Sequence, residues 1–209
     1  MTLPKHKTAT GIPLLILFGA IILHDMLTAF ANISGLPDRS VYNQMLIIFN
    51  VAVIASGVMI AFSKDRSIGV LPRTAAAGLT VMYSILSVNI ALSTATSGSA
   101  NIFSFLGAYS ILTTHIITGC LFALLLLSLK TWLYIRIVGA TIMIPTIVSG
   151  YFYYEMLRLF SCQDFDSSFH DRFMNLSDSL NYSGLATLLI AIATVVLTII
   201  WMCRKQETD

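Results

Sequence analysis

Charge is what this chain lacks most. Asp, Glu, Lys and Arg make up 11% of its 209 residues, where a soluble domain normally carries about a quarter. That is too few to clothe a globular surface in water. With 56% hydrophobic residues and a mean hydropathy of +0.83, the class that fits is a membrane-embedded chain. A formal net charge of +2 is too small to hold a polyanion, so nucleic acid is excluded as a partner. Cysteine is scarce too. Cys120, Cys162 and Cys203 are expected at different sides and depths, so no internal disulfide is expected. No HExxH or HxxxH spacing occurs among the four histidines, so no helix face supplies two metal ligands.

What the chain has instead is apolar runs. A hydrocarbon core about 30 Å thick needs roughly 20 apolar residues of helix, and six stretches meet that length: about 12–31, 45–63, 74–93, 105–129, 137–154 and 183–203. The expected fold is one all-α domain over 1–209, an integral membrane bundle of six transmembrane helices. Lys and Arg are retained on the cytoplasmic side. Nine of the twelve lie on the side of the N-terminus: Lys5, Lys7, Lys64, Arg66, Arg73, Lys130, Arg136, Arg204 and Lys205. Arg39, Arg158 and Arg172 lie on the other. The reading is therefore a multi-pass protein of the cell membrane, with both termini cytoplasmic. The first run, with Ala29, Phe30 and Ala31 at its end, imitates a secretory signal. Its spanning length and its internal His24 and Asp25 favour a retained helix.

Between the spans, 94–104 reads as a small polar cap. The segment 155–181 reads as an acidic outer loop, in which Phe165, Phe169, Phe173 and Leu176 form one stripe of a short amphipathic helix. Pro145 is expected to kink the fifth span.

Ionisable groups inside the hydrocarbon cost about 2.5–3.5 kcal/mol each on insertion scales, which makes each a functional candidate. There are three: His24 and Asp25 in the first span and His115 in the fourth. Counted along their helices, His24 and His115 are level, roughly 4 Å outward of the midplane. Asn50, Asn89 and Glu155 are placed in the same outer half, while the inner half has only small and hydroxyl groups. The expected arrangement is an Asp25 to His115 hydrogen bond tying helices together, or an outward pocket in which Asp25 carries a proton or serves as counter-ion with His115 beside it. Two further readings use the same residues. His24 and His115 would be the axial ligands of a b-type haem, or His24, Asp25, His115 and Glu155 would surround a zinc ion. The sequence itself calls for no cofactor and no metal.

From 32 to 62 the chain reads NISGLPDRSVYNQMLIIFNVAVIASGVMIAF. It combines Ser34 and Gly35 in a short loop with a span that opens on Phe49 and Asn50 and carries Gly57. Together with HIITGCLFALLLL from His115, this resembles the small bacterial and archaeal multi-span family known as domain of unknown function 998. The resemblance implies an integral membrane protein of about this length with six or so helices and no established activity. It also implies that Asn50 and His115 lie in shared positions. Three classes remain open: a small-ligand binding protein or proton-coupled transporter, a haem or metal enzyme, and an accessory subunit packed on like or unlike chains. The partners expected for the first are the lipid bilayer and a small molecule.

Overall fold

The computed structural model describes residues 5–34, 39–95, 108–161 and 167–204. These residues form seven helices and, among themselves, no strand. The helices are α1 (Lys5–Ser34), α2 (Arg39–Ala61), α3 (Val70–Ala95), α4 (Ala108–Ser128), α5 (Leu133–Ala140), α6 (Met143–Ser161) and α7 (Ser167–Cys203). Six stretches are long and apolar enough to cross a membrane, the fifth being α5 and α6 together, over Leu133–Leu159. The outward faces carry large side chains such as Leu23, Met26, Ile48, Val51, Val81, Val88 and Leu189, all exposed. In water that surface would be untenable; in lipid it is the solvent-facing side of a polytopic membrane protein.

The helices form a closed ring. α1 packs on α2, α2 on α3, α3 on α4, α4 on α6, α6 on α7, and α7 returns to α1. Short loops between sequential spans produce the first contacts; the last pairs the two ends of the chain. Where they meet, the buried Lys7 ammonium donates to the carbonyls of Trp201 and Arg204 at 3.0 and 2.7 Å and lies 5.7 Å over the Trp201 ring. The Trp201 carbonyl belongs to the last turn of α7 and that of Arg204 follows it directly, where the helix leaves acceptors without partners and carries partial negative charge. Two other cations at the same end do similar work. Arg136 donates to the Leu127 carbonyl in the last turn of α4, and Arg73 donates to the Ile68 and Asp65 carbonyls in the turn after α2, at 3.1 and 2.8 Å.

At the end of the ring that holds both chain ends, the centre is filled by Leu14, Leu17 and Phe18 of α1, Ile60 of α2, Leu79 of α3, Leu125 and Leu126 of α4, and Leu129 just after it, all fully buried. Two buried hydroxyls in this half are satisfied by backbone carbonyls: Ser56 donates to the Pro13 carbonyl at 2.7 Å, and Thr198 to that of Thr194 at 2.7 Å. The apolar plug and the capped helix ends make this half a solid foundation.

Two expectations change. The fifth span is broken at Thr141–Ile142 into α5 and α6, and Pro145 explains the position. Proline has no N–H, and its ring clashes with the carbonyl of the residue four earlier, which is Thr141. The Thr141 carbonyl accepts from Ile144 N at 3.0 Å instead, and the Thr141 hydroxyl donates to Val138 at 2.6 Å. The acidic outer loop of 155–181 is helical wherever it is described: 155–161 end α6 and 167–181 open α7. No Pro or Gly stands between Ser167 and Gly184, so nothing interrupts helix propagation. At 37 residues, α7 is about 55 Å long and extends well beyond a 30 Å hydrocarbon core. Phe169 and Phe173 stack on this extension, with centroids 6.4 Å apart. Most of the 94–104 cap, together with Cys162 and Phe165, lies outside the described residues.

Close helix approach depends on particular glycines. A Cβ at Gly57 would overlap the Thr80 hydroxyl and stand 2.9 Å from the Ala76 carbonyl, whereas one at Gly19 would meet nothing within 4 Å. Gly57→Val should therefore destabilise the bundle by about 1–3 kcal/mol, the usual overpacking range. Gly19→Val should leave the thermal midpoint in detergent nearly unchanged. Equal effects would contradict the α2–α3 packing described here.

Candidate functional site

The other half of the ring is not filled. Above the plug lies a cavity of about 870 Å³ whose wall draws on every spanning stretch. Ile21, Tyr83, Phe122 and Ile142 belong both to the cavity lining and to the buried core, and so form its floor. From there the wall rises through His24, Asp25 and Thr28 on α1, Phe49 on α2, Leu86 on α3, Thr114 and His115 on α4, Ser149 and Tyr153 on α6, and Ser177 and Asn181 on α7. The α7 residues at this level precede Gly184, so the helical extension that replaces the expected loop supplies part of the wall near the mouth.

The three intramembrane ionisable residues all line this cavity, but they are not paired as expected. Asp25 Oδ1 lies 3.1 Å from His24 Nδ1, its neighbour in sequence, and not on His115. The two side chains are 19% and 22% exposed. Asp25 Oδ2 and His24 Nε2 are enclosed and have no hydrogen-bond partner among the described residues. On the opposite side of the ring, His115 Nδ1 donates to the Ile111 carbonyl one turn back, at 2.8 Å. A carbonyl only accepts, so the proton sits on Nδ1 and a neutral ring keeps a lone pair on Nε2. The His115 side chain is seated over Gly150, where a Cβ would overlap its Cβ and ring. Glycine at this position is what lets the imidazole lie between α4 and α6.

The remaining candidates lie elsewhere. Asn50 is buried next to Phe49 but does not line the cavity, and its Nδ2 has no partner among the described residues. Asn89 is also outside the lining. Glu155 is outside it too and faces Arg158 at 3.7 Å. The zinc arrangement is therefore not assembled: among the described residues no group of three or more His, Cys, Asp or Glu converges.

The sequence reading passed over the aromatic content of the wall. Ring contacts run from His24 to Phe49 (4.7 Å between centroids), Phe49 to Tyr83 (5.8 Å) and Tyr83 to Phe122 (6.4 Å), across α1, α2, α3 and α4. His115 and Tyr153 add a second contact at 5.9 Å between α4 and α6. In an apolar sequence an aromatic residue is an ordinary lipid or core contact. The signal that could have singled these out is their shared depth with His24 and His115. Hydroxyls complete the wall: Ser149 on α6 lines the cavity and shares a hydrogen bond of 2.6 Å with the buried Ser183 of α7, which lies outside the lining.

No family model, curated protein or solved structure matches the chain. The chemistry of the cavity therefore carries the functional argument.

The His24 to Asp25 hydrogen bond can be measured by a double-mutant cycle on thermal stability, using His24→Leu, Asp25→Leu and the double variant. Intramembrane hydrogen bonds couple by about 0.6–2 kcal/mol, and a coupling in that range is expected. Strict additivity would show that the pair is not formed.

Proposed function

We propose that this polytopic membrane protein binds a small ligand in the cavity, with a proton exchanged on the His24–Asp25 pair, and that the cavity faces the outer side while both termini are cytoplasmic. The observation that carries the reading is the convergence of all six spans on one cavity that contains the ionisable residues of the hydrocarbon region. Such residues are expensive in lipid and are retained where they act. A carboxylate and an imidazole within hydrogen-bond distance share a proton easily. The titratable groups lining the cavity are His24 and Asp25 on α1, Tyr83 on α3, His115 on α4 and Tyr153 on α6; the phenols already carry their protons, so a proton taken up there goes to the carboxylate or an imidazole. Orientation is supported by the nine cationic residues on the side of the chain ends. The resemblance to the domain of unknown function 998 family belongs to the same proposal and supplies no reaction.

One observation favours a second reading, a b-type haem. His24 and His115 line the same cavity, and each engages its Nδ1, with Asp25 and with the Ile111 carbonyl. That leaves both Nε2 atoms for axial ligation. Protein purified from haem-supplemented cells would then show a Soret band, and colourless protein would remove this reading.

The main proposal is tested by thiol access in intact cells. In a Thr114→Cys chain with Cys120 and Cys162 replaced by Ser, a membrane-impermeant thiol reagent should label position 114 and spare Cys203. Labelling of Cys203 with position 114 unreactive would overturn both the orientation and the open cavity.

A further inference from the structure

We propose that the ligand of this cavity is an organic ammonium ion, with Asp25 as its counter-charge. The inference rests on the reading of the cavity as a ligand site and adds the chemical class. Three independent features of the wall point the same way.

The first is charge. Asp25 is the one carboxylate among the described lining residues, and no Lys or Arg stands among them. An anionic ligand would meet a carboxylate and no compensating cation. A cation would meet a partner between mostly apolar walls, where Coulomb attraction is stronger than in bulk water.

The second is the direction of the hydrogen bonds. Four of the five lining threonines donate their hydroxyl proton to a backbone carbonyl of their own helix: Thr28 to His24, Thr118 to Thr114, Thr146 to Ile142 and Thr187 to Ser183, at 2.6–3.0 Å. What those hydroxyls still offer is lone pairs. The Asp25 carboxylate, 19% exposed, only accepts when ionised; its Oδ2, like Nε2 of His24, is enclosed and without a partner among the described residues. With Nδ1 of His115 committed to Ile111, its Nε2 is a further acceptor while the ring is neutral. The wall is rich in acceptors, which suits a ligand that brings N–H donors.

The third is the aromatic belt. Phe49, Tyr83, Phe122 and Tyr153 line the cavity together with the two imidazoles. The faces of such rings carry partial negative charge and attract an ammonium group while packing against its apolar substituents. The volume of about 870 Å³ is that of a site for an organic molecule and far exceeds what a bare metal ion occupies. No bond to carbon is made or broken in this proposal; the ligand is held and released.

The test uses three probes with one apolar body and different heads: 1-adamantylammonium, 1-adamantanol and adamantane-1-carboxylate. Binding is measured calorimetrically on the full chain in lipid nanodiscs, with empty nanodiscs subtracted. The ammonium is expected to bind saturably, and the alcohol and carboxylate at least tenfold more weakly. Asp25→Asn, with an unchanged melting temperature, should weaken the ammonium at least tenfold and leave the alcohol unaffected. If Asp25→Asn unfolds the protein, Phe49→Leu serves in its place, with a several-fold loss expected for the ammonium alone. Equal binding of ammonium and alcohol, or tighter binding of the carboxylate, would overturn the ammonium assignment while leaving a ligand site. Failure of all three probes to bind saturably would overturn the ligand site as well.

Discussion

Closure of the helix ring is the constraint on which everything else depends. Six spans joined in sequence form a curved wall, and only the return contact of α7 on α1 makes an inside. The Lys7 ammonium holds that return at the chain ends, bonded to the Trp201 carbonyl in the last turn of α7 and to the Arg204 carbonyl just after it. Nearby, a Cβ at Gly11 of α1 would overlap the Met202 side chain of α7, so glycine is what lets the two helices approach there. An open wall of six helices would expose His24 and Asp25 to lipid. A closed one gives them a compartment. Three cationic residues at this end, Lys7, Arg73 and Arg136, satisfy carbonyls at or just beyond helix C-termini.

The two halves of the ring divide the work. One half is filled with fully buried leucine, isoleucine and phenylalanine side chains. The other half holds the cavity, and every intramembrane ionisable group lines it. The boundary is drawn by Ile21, Tyr83, Phe122 and Ile142, which close the plug on one face and floor the cavity on the other. Ile142 sits in the break between α5 and α6, so the one discontinuous span is interrupted at the level where packing gives way to open space. Polar groups are tolerated within a membrane where protein or a cavity surrounds them, and the asymmetry of this ring follows that rule.

Much of the fold is legible in the sequence because length and hydropathy set depth. The runs 74–93 and 105–129 lie within four residues of the ends of α3 and α4, while α1 and α2 begin six or seven residues before the runs that announce them, and the scarce ionisable residues of the runs fall in one half of the bundle. Azimuth is a different matter. Helices that are apolar on all sides give no periodicity from which a face can be read, so depth was known and direction was not. This is why the sequence suggests His115, on the far side of the ring, for Asp25, when its partner is His24. It is also why Asn50 was grouped with the cavity: it lies one residue, about 100° of turn, beyond Phe49, and only Phe49 lines the cavity. The continuity of α7 was hidden by its acidic composition, which reads as a loop although nothing in 167–183 breaks a helix. The aromatic belt needs the order of helices around the ring, which no single span contains.

The central claim is that Asp25 is the group in this cavity on which a cationic ligand acts, and infrared difference spectroscopy observes that group directly. Adding 1-adamantylammonium to the reconstituted protein should shift a carboxylate stretching band that is missing from the same difference spectrum of Asp25→Asn. An identical difference spectrum from wild type and Asp25→Asn would contradict the account.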